Sequence, residues 1–269
     1  MSGPDFDPVL AERIEARAWL DLYVAAAPLT SARRFGDIVA RAVAAAPRAR
    51  PLNGLLDVGD EHLDRLDLAL AFMDETGVDY NVSVRAGTRA ERALLDRGLQ
   101  PGYAWMKFGI DLASAKLAPP DQGEVEVRRA RRDDGDAFGA VLAAGFELPS
   151  ELAGLARTLP ERPGWQCFLG FHHGEPVATG AVFVEDGIAW LGAGATRPDK
   201  RRLGAQSTIL SARLCAARDQ GCRAAFTETG ERVEGKPAAS YRNILRAGFG
   251  ERYLRPNLVP PGRGVLTPT

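Results

Sequence analysis

From residue 165 onward three largely apolar runs come in quick succession, separated only by short turn signals. They are WQCFLGF (165–171), EPVATGAVFVE (175–185) and IAWLGAGAT (188–196). Short apolar runs bounded by turn residues read as strands. His173-Gly174 and Asp186-Gly187 separate the runs, and these pairs tolerate the positive φ of a two-residue hairpin, so an antiparallel meander is predicted. Upstream, Val125 and Val127 alternate with charged neighbours as a short half-buried strand. Phe138, Val141, Leu142 and Phe146 then follow at helical spacing, with Asp133 as the expected cap and Asp136 in the first turn. A short helical stretch covers 149–158. Downstream of the meander, ATRPDKRRLGAQSTILSARLCAARDQG (195–221) passes through a basic loop into an amphipathic helix. Ile209, Leu210, Leu214, Cys215 and Ala217 form its apolar face, and Gly221 ends it. A strand at 222–229, a helix at 239–248 and a strand at 249–259 complete the half, a β-α-(α)-β-β-β-α-β-α-β order on a mixed sheet of the α/β (α+β) class.

The first half reads as helices at 8–27, 60–76 and 88–98 with strands near 36–44, 52–58, 79–85 and 102–111. Its segment 77–108 aligns with 221–258: both run Gly, strand, helix, Gly, strand, and Gly98 precedes Tyr103 as Gly248 precedes Tyr253. We read this as an internal repeat. A chain of 269 residues accommodates two domains. Ala118-Pro119-Pro120-Asp121-Gln122-Gly123 has the composition of a linker, which places the expected domains at 1–118 and 123–269.

Composition narrows the function classes. The net charge of -1 and pI near 6.4 argue against nucleic-acid binding, which needs clustered Lys and Arg. No stretch approaches the roughly 20 uninterrupted apolar residues of a membrane span. The opening MSGPDFDPVLAERIEARAWL has no apolar core flanked by positive charge, so a cytoplasmic location is expected. Cys167, Cys215 and Cys222 lack framework spacing, which fits a reducing compartment. The only lysines are Lys107, Lys116, Lys200 and Lys236 amid abundant Arg and Ala, a bias of GC-rich bacterial genomes. His62, His172 and His173 are the only histidines; the adjacent pair sits in a turn, FHHGEP, without spaced Cys or acidic partners, and no metal site is expected.

The chemistry concentrates in Arg201-Arg202-Leu203-Gly204-Ala205-Gln206, between a strand and a helix. The first N–H groups of a helix lack intrahelical partners and, with the macrodipole, favour an anion such as a pyrophosphate. Gly204 allows the backbone to come close, and Lys200, Arg201 and Arg202 add positive charge at the rim. GAGATR (192–197) mimics a dinucleotide fingerprint, but Arg197 stands at the third glycine and the preceding strand belongs to a meander. No G-x-x-x-x-G-K-[ST] occurs.

The segment resembles the GNAT acetyltransferase superfamily, whose members carry V-x-P-x-x-[QR]-x-x-G-x-[GA] at this junction. Thr196-Arg197-Pro198-Asp199-Lys200-Arg201-Arg202-Leu203-Gly204-Ala205-Gln206 follows it, departing at Thr196 and Gln206. Element order and the closing ILRAGF (244–249) are similar too, over about 123–258. The resemblance implies a GNAT acyl-CoA N-acyltransferase fold, in two tandem copies, with acetyl-CoA as acyl donor. It implies that Gly194, Ala195 and Thr196 pair with the pantetheine arm, that the N–H groups of Arg201, Arg202, Leu203, Gly204, Ala205 and Gln206 hold the pyrophosphate, and that Asn243 touches the cofactor or caps locally.

Acyl transfer also needs a base for the amine and an acid for the thiolate. Where the family often has its acidic Tyr, four residues before the Gly of the ending, this chain has Ile244; Tyr241 on the same helix face is the substitute. Glu228, near the end of a central strand, is the expected base. Trp190, Phe146 and Trp165 are expected in the core. In the first half, LLDVGDEHLDRL (55–66) occupies the corresponding junction, and Asp57, Asp60 and Glu61 would repel a pyrophosphate. That half therefore reads as a degenerate GNAT-like domain without a second coenzyme site. The expected acceptor is a primary amine of a small molecule or peptide, and Glu228, Glu231 and Glu234 favour a cationic one. A non-catalytic acyl-CoA-binding sensor and an unrelated phosphate-binding domain are the competing readings. The sequence leaves monomer or homodimer open.

Overall fold

The computed structural model describes residues 6–120, 123–235 and 238–261. The chain forms two compact units. The N-terminal unit comprises Asp7–Lys107, Glu228–Lys236 and Arg252–Thr269; the C-terminal unit comprises Met1–Phe6, Phe108–Thr227 and Pro237–Glu251. The proline-rich stretch at 118–120 lies within the second of these.

The N-terminal unit opens with helix α1 (Pro8–Ala25), started by Asp7, whose carboxylate accepts the Val9 N–H at 2.9 Å. A hairpin follows, β1 (Ser31–Phe35) and β2 (Ile38–Ala42), turning at Gly36 with φ 67°. The single strand expected near 36–44 is thus the second arm of a pair. SARRF offers no apolar alternation, because β1 is largely exposed. Strand β3 (Gly54–Val58) pairs antiparallel with β2 and parallel with β4 (Asn81–Val84). Between β3 and β4 run a 3-10 segment (Asp60–Arg65) and helix α2 (Leu66–Glu75), then α3 (Arg89–Asp96) and β5 (Gln100–Asp111) follow. Leu66, Ala69 and Met73 of α2 are fully buried in one cluster with Ile38, Leu55 and Val82; Ala16 of α1 packs with Val39 and Leu56, the alternate residues of the same strands. Period-two strands between two helical layers account for both faces.

In the C-terminal unit, β6 (Glu126–Arg129) pairs antiparallel with β7 (Trp165–His172), which forms the expected antiparallel meander with β8 (Glu175–Glu185) and β9 (Ile188–Thr196). Its turns have φ of 51° and 81° at His173-Gly174 and 51° and 71° at Asp186-Gly187, the geometry those dipeptides favour. Helix α4 (Gly135–Gly145) precedes the meander and α5 (Ala205–Asp219) follows it. The cap near α4 is Asp134, which accepts the Arg131 N–H and both terminal nitrogens of Arg128, not Asp133. Strand β10 (Ala224–Gly230) pairs parallel with β9, then come α6 (Ala239–Arg246) and β11 (Gly250–Val259).

Each repeat thus feeds antiparallel strands into a bulged strand, a helix, a parallel strand, a second helix and a long strand, as the comparison of 77–108 with 221–258 suggested. The likeness extends to the bulge. β3 has one residue more than β4 between paired positions, with Asp57 at φ 54°; β9 has one more than β8, with Ala193 at φ 51°. The last strand of the second repeat lies in the first unit: β11 pairs antiparallel with β4 through Asn257↔Ser83 and Leu258↔Val82. Buried polar groups fix that register. Ser83 Oγ donates to Asn257 Oδ1 at 2.7 Å, and Asn257 Nδ2 donates to the Tyr103 carbonyl at 3.1 Å.

Candidate functional site

The β9–α5 junction is built from two local irregularities. The parallel ladder between β9 and β10 runs from Ile188↔Ala224 to Trp190↔Phe226 and goes no further, while β9 continues to Thr196. Past Trp190 the edge of β9 facing away from β8 has no ladder partner among the described residues. Arg197 N–H donates to Val177 O at 2.9 Å, so by strand alternation the Thr196 and Gly194 peptide groups point to that free edge.

Beyond Thr196 the chain makes a 3-10 turn (Pro198–Lys200) and then adopts left-handed conformations at Arg202 (φ 76°) and Gly204 (φ 77°) before α5 begins at Ala205. Lys200 N–H still bonds to Arg197 O, and Ser207 and Thr208 N–H bond to Gly204 O. The six amides in between, from Arg201 to Gln206, have no main-chain acceptor among the described residues. A Cβ on Gly204 would meet no described protein atom within 4 Å, so within the chain itself glycine is needed there for its φ.

Around this nest the cations divide. Arg197 pairs with Asp199 (3.0 Å) and Arg201 with Glu147 (3.3 Å). Lys200 and Arg202 form no ion pair among the described residues.

Gln206, one departure from the family pattern, has a structural explanation. Its side chain turns to the sheet, where Nε2 donates to Ala195 O (2.7 Å), Thr196 Oγ1 (3.0 Å) and Thr179 O (3.3 Å). It thereby caps carbonyls that the β9 bulge leaves open and fastens the first turn of α5. Thr196, the other departure, supplies one of these acceptors. On the opposite face Gly145 of α4 packs so closely on Thr196 that a Cβ there would lie 2.9 Å from its main-chain nitrogen.

The remaining site residues fall elsewhere. Tyr241 is buried on α6, edge-on to Phe108 at 4.9 Å between centroids, and its hydroxyl donates to Glu251 at 2.7 Å. Asn243 accepts from Arg246 at 2.9 Å, a local contact along α6. Trp190 and Trp165 are core residues as expected, with ring centroids 6.3 Å apart. Phe146 is not: it is 55% exposed, because α4 ends at Gly145 and the next residue leaves the helix.

Glu228 belongs to the N-terminal unit and to a buried ionic cluster there. Lys107, 0% exposed, donates to Glu228 at 2.8 Å and to Glu15 at 2.6 Å. Arg255 donates to Glu15 and, at 2.8 Å, to Glu12; Tyr253 donates to Glu12 at 2.6 Å. Burial pushes the Glu228 carboxyl above the usual carboxylate range and the charge of Glu15 adds to it, against the pull of Lys107 and Arg255. Burial also works against the Glu15 carboxylate, yet Arg255 and Lys107 hold it down at about 2. Burial disfavours the Lys107 ammonium as well, but Glu15 and Glu228 raise it above its ordinary value. The 13% exposure of the Glu228 side chain makes it the wettest carboxylate of the three. Sequence analysis missed Glu12, Glu15, Lys107 and Arg255. The signal was a lysine inside the apolar run YAWMKFGI and two glutamates on the alanine-rich face of α1.

Asp57, at the N-terminal unit's bulge, is buried with Oδ2 unpaired among the described residues. Burial and the charge of Glu12 push its carboxyl up to about 7, with Arg13 opposing. No group of three or more His, Cys, Asp or Glu among the described residues is placed to hold a metal, and none of their helices is long and apolar enough to cross a membrane.

A meander whose last strand bulges, parts from its parallel neighbour and feeds a helix start with free amides is the architecture of the GCN5-related N-acetyltransferase (GNAT) fold, and this chain has that fold. It carries it twice, in tandem. A tandem GNAT protein from the clavulanic acid biosynthesis pathway matches 95% of this chain and 96% of its own with a TM-score of 0.61 at 15% identity. A GCN5-related N-acetyltransferase from Kribbella flavida matches 92% and 95% with a TM-score of 0.60 at 16% identity. A GNAT-family acetyltransferase from Colwellia psychrerythraea matches 94% and 97% with a TM-score of 0.54 at 17% identity. No family model matches the sequence, and no curated protein does either.

Proposed function

We propose that the protein is an N-acetyltransferase that uses acetyl-CoA and acetylates a primary amine of a small molecule or peptide. The observation that carries this reading is the run of six main-chain amides at 201–206 without acceptors among the described residues, at the start of α5 and beside the free edge of β9. Such amides, together with the helix dipole, fit a pyrophosphate. Lys200 and Arg202 would screen its charge, and the Gly194–Thr196 edge would take an extended amide chain as an added strand.

Acetyl-CoA supplies an activated thioester. The amine's electron pair forms the new C–N bond, the C–S bond breaks with its pair on sulfur, and the amine proton goes to a base. Glu228 is our base. It directly follows Thr227, whose hydroxyl bonds to Leu191 O at 2.9 Å, and its raised pKa suits proton uptake nearer neutrality. Tyr241 is the acid we assign, and its bond to Glu251 must open before it can protonate a thiolate. We also assign Asn243 of α6 to the cofactor, for which its local bond from Arg246 would have to open.

Calorimetry with CoA and acetyl-CoA, followed by thiol release with a panel of amines, tests the proposal. Binding at one site per chain with turnover supports it, and no heat at any concentration sinks it. Binding without turnover would favour an acyl-CoA sensor, a reading supported by Ile244 in place of a tyrosine and by the engaged Tyr241 hydroxyl.

A further inference from the structure

Arg213 lies on the apolar face of α5, one turn beyond Ile209, and is 5% exposed. Its guanidinium reaches the β9 bulge, donating to Gly192 O at 3.0 Å and Ala181 O at 3.4 Å, while Nε has no hydrogen-bond partner among the described residues. It sits directly beneath the free-edged segment of β9: a Cβ on Gly194 would lie 3.5 Å from Arg213 Nη2.

No carboxylate pairs with this cation among the described residues. The acids on the elements packed against it are Glu126 on β6, Glu175 and Glu185 on β8 and Asp219 on α5, each at the end of its element. The other ionisable groups there are Arg128, Arg129, Cys167, His172, Cys215 and Arg218, and α6 adds Tyr241, Arg242 and Arg246. Burial lowers the Arg213 pKa to about 10, which leaves it charged at neutral pH.

Withdrawing a guanidinium from water without an anion costs far more than two neutral carbonyls return. The fold does not need the charge for that task, since Gln206 caps the neighbouring carbonyls of the same bulge with a neutral amide. An uncompensated cation beneath a strand edge implies that negative charge develops on the other side of that strand. Gly192 C=O also shares its peptide with Ala193 N–H, so a bond from Arg213 to that oxygen sharpens the N–H as a donor.

We propose that Arg213 is a charge-stabilising positioning residue of the acyl transfer, acting through the β9 peptides on the thioester oxygen and then on the departing sulfur. This rests on the acetyl-CoA reading above. Arg213 does not touch the reacting atoms; it favours the electron pair that stays on sulfur when the C–S bond breaks.

The test titrates the thiol of CoA bound to the full-length protein, by thiolate ultraviolet absorbance, in the wild type and in two variants. Arg213→Gln keeps a hydrogen-bond donor and removes the charge; Arg213→Lys keeps the charge. Bound to the wild type, the thiol should ionise about one pH unit lower than free CoA. Arg213→Lys should preserve most of that shift and Arg213→Gln abolish it, with CoA affinity changed less than about threefold and kcat lowered about 10- to 100-fold in the glutamine variant. A purely structural role would rank glutamine at or above lysine. If CoA binds but its thiol titrates in the wild type as in free solution, or Arg213→Gln behaves as wild type, this inference fails alone. Should a variant not fold, the wild-type titration still decides. If CoA does not bind at all, the acetyl-CoA reading fails and takes this one with it.

Discussion

The two units reach the same place in their folds and then diverge. In each, a strand bulges at a residue of positive φ, Asp57 or Ala193, and passes into a helical segment. In the C-terminal unit the chain turns left-handed twice before α5, which leaves a run of amides pointing outward. In the N-terminal unit Gly59 leads at once into a 3-10 turn whose His62 N–H bonds back to Gly59 O, and Asp60 accepts the Ala90 N–H at 2.8 Å. One junction displays a run of donors; the other turns at once into a helical segment and is lined with carboxylates. The fold is repeated, but the arrangement at this junction is not. The decisive difference is a few backbone angles before a helix and the sign of the charge beside them.

Four substitutions and one control probe that division of labour, the substitutions running from the largest expected effect to the smallest. Glu228→Gln should lower kcat about 10²- to 10⁴-fold with acetyl-CoA affinity intact. The base works deprotonated and its pKa is raised, so the wild-type rate should climb with pH through a value above the ordinary carboxylate range, and the variant should lose that limb. An unchanged kcat would remove the N-terminal unit's cluster from the chemistry.

Lys107→Met leaves Glu15 and Glu228 buried without their shared cation and should destabilise the protein by about 3–5 kcal/mol in chemical denaturation. Gly204→Val forces a β-branched residue into φ 77°, a strain of about 1–3 kcal/mol that should weaken CoA binding roughly 10- to 100-fold in calorimetry. Asp60→Asn in the other junction should leave CoA binding unchanged, and an equal loss there would erase the contrast between the units.

Asp57→Asn is the mildest. The folded carboxyl titrates near 7, above its unfolded value of 3.8, so the native state holds the extra proton between them and wild-type stability falls as pH rises through that window. The asparagine variant should be the more stable by about 1–2 kcal/mol at pH 8 and lose that advantage near pH 4. Parallel stability curves across this range would refute the assignment.

Much of the fold was legible because it rests on local rules. Turn dipeptides fixed the meander, period-two and helical spacing located most elements, and the parallel between 77–108 and 221–258 exposed the repeat. Strand β1 was not legible, since SARRF lies on an exposed edge where no burial pattern is imposed. The loop at 201–206 could be found because a helix start announces itself in sequence. The partners of Glu228 could not: Glu15 lies more than two hundred residues away and Lys107 more than one hundred, and only the three-dimensional pairing of β5, β10 and α1 brings them together. Arg213 was hidden for the opposite reason, being a charge at a position whose spacing reads as core.

The placement of β11 has a consequence for how the protein can be taken apart. A gene split at the proline-rich stretch would give a first product without Arg255, stranding Glu12 and Glu15 in the interior, and without the strand that holds Ser83 through Asn257. The second product would carry that strand with no Ser83 to receive it. Composition invites fission at a point where neither fragment inherits everything it needs, and co-expressed halves would have to trade a tail to become whole.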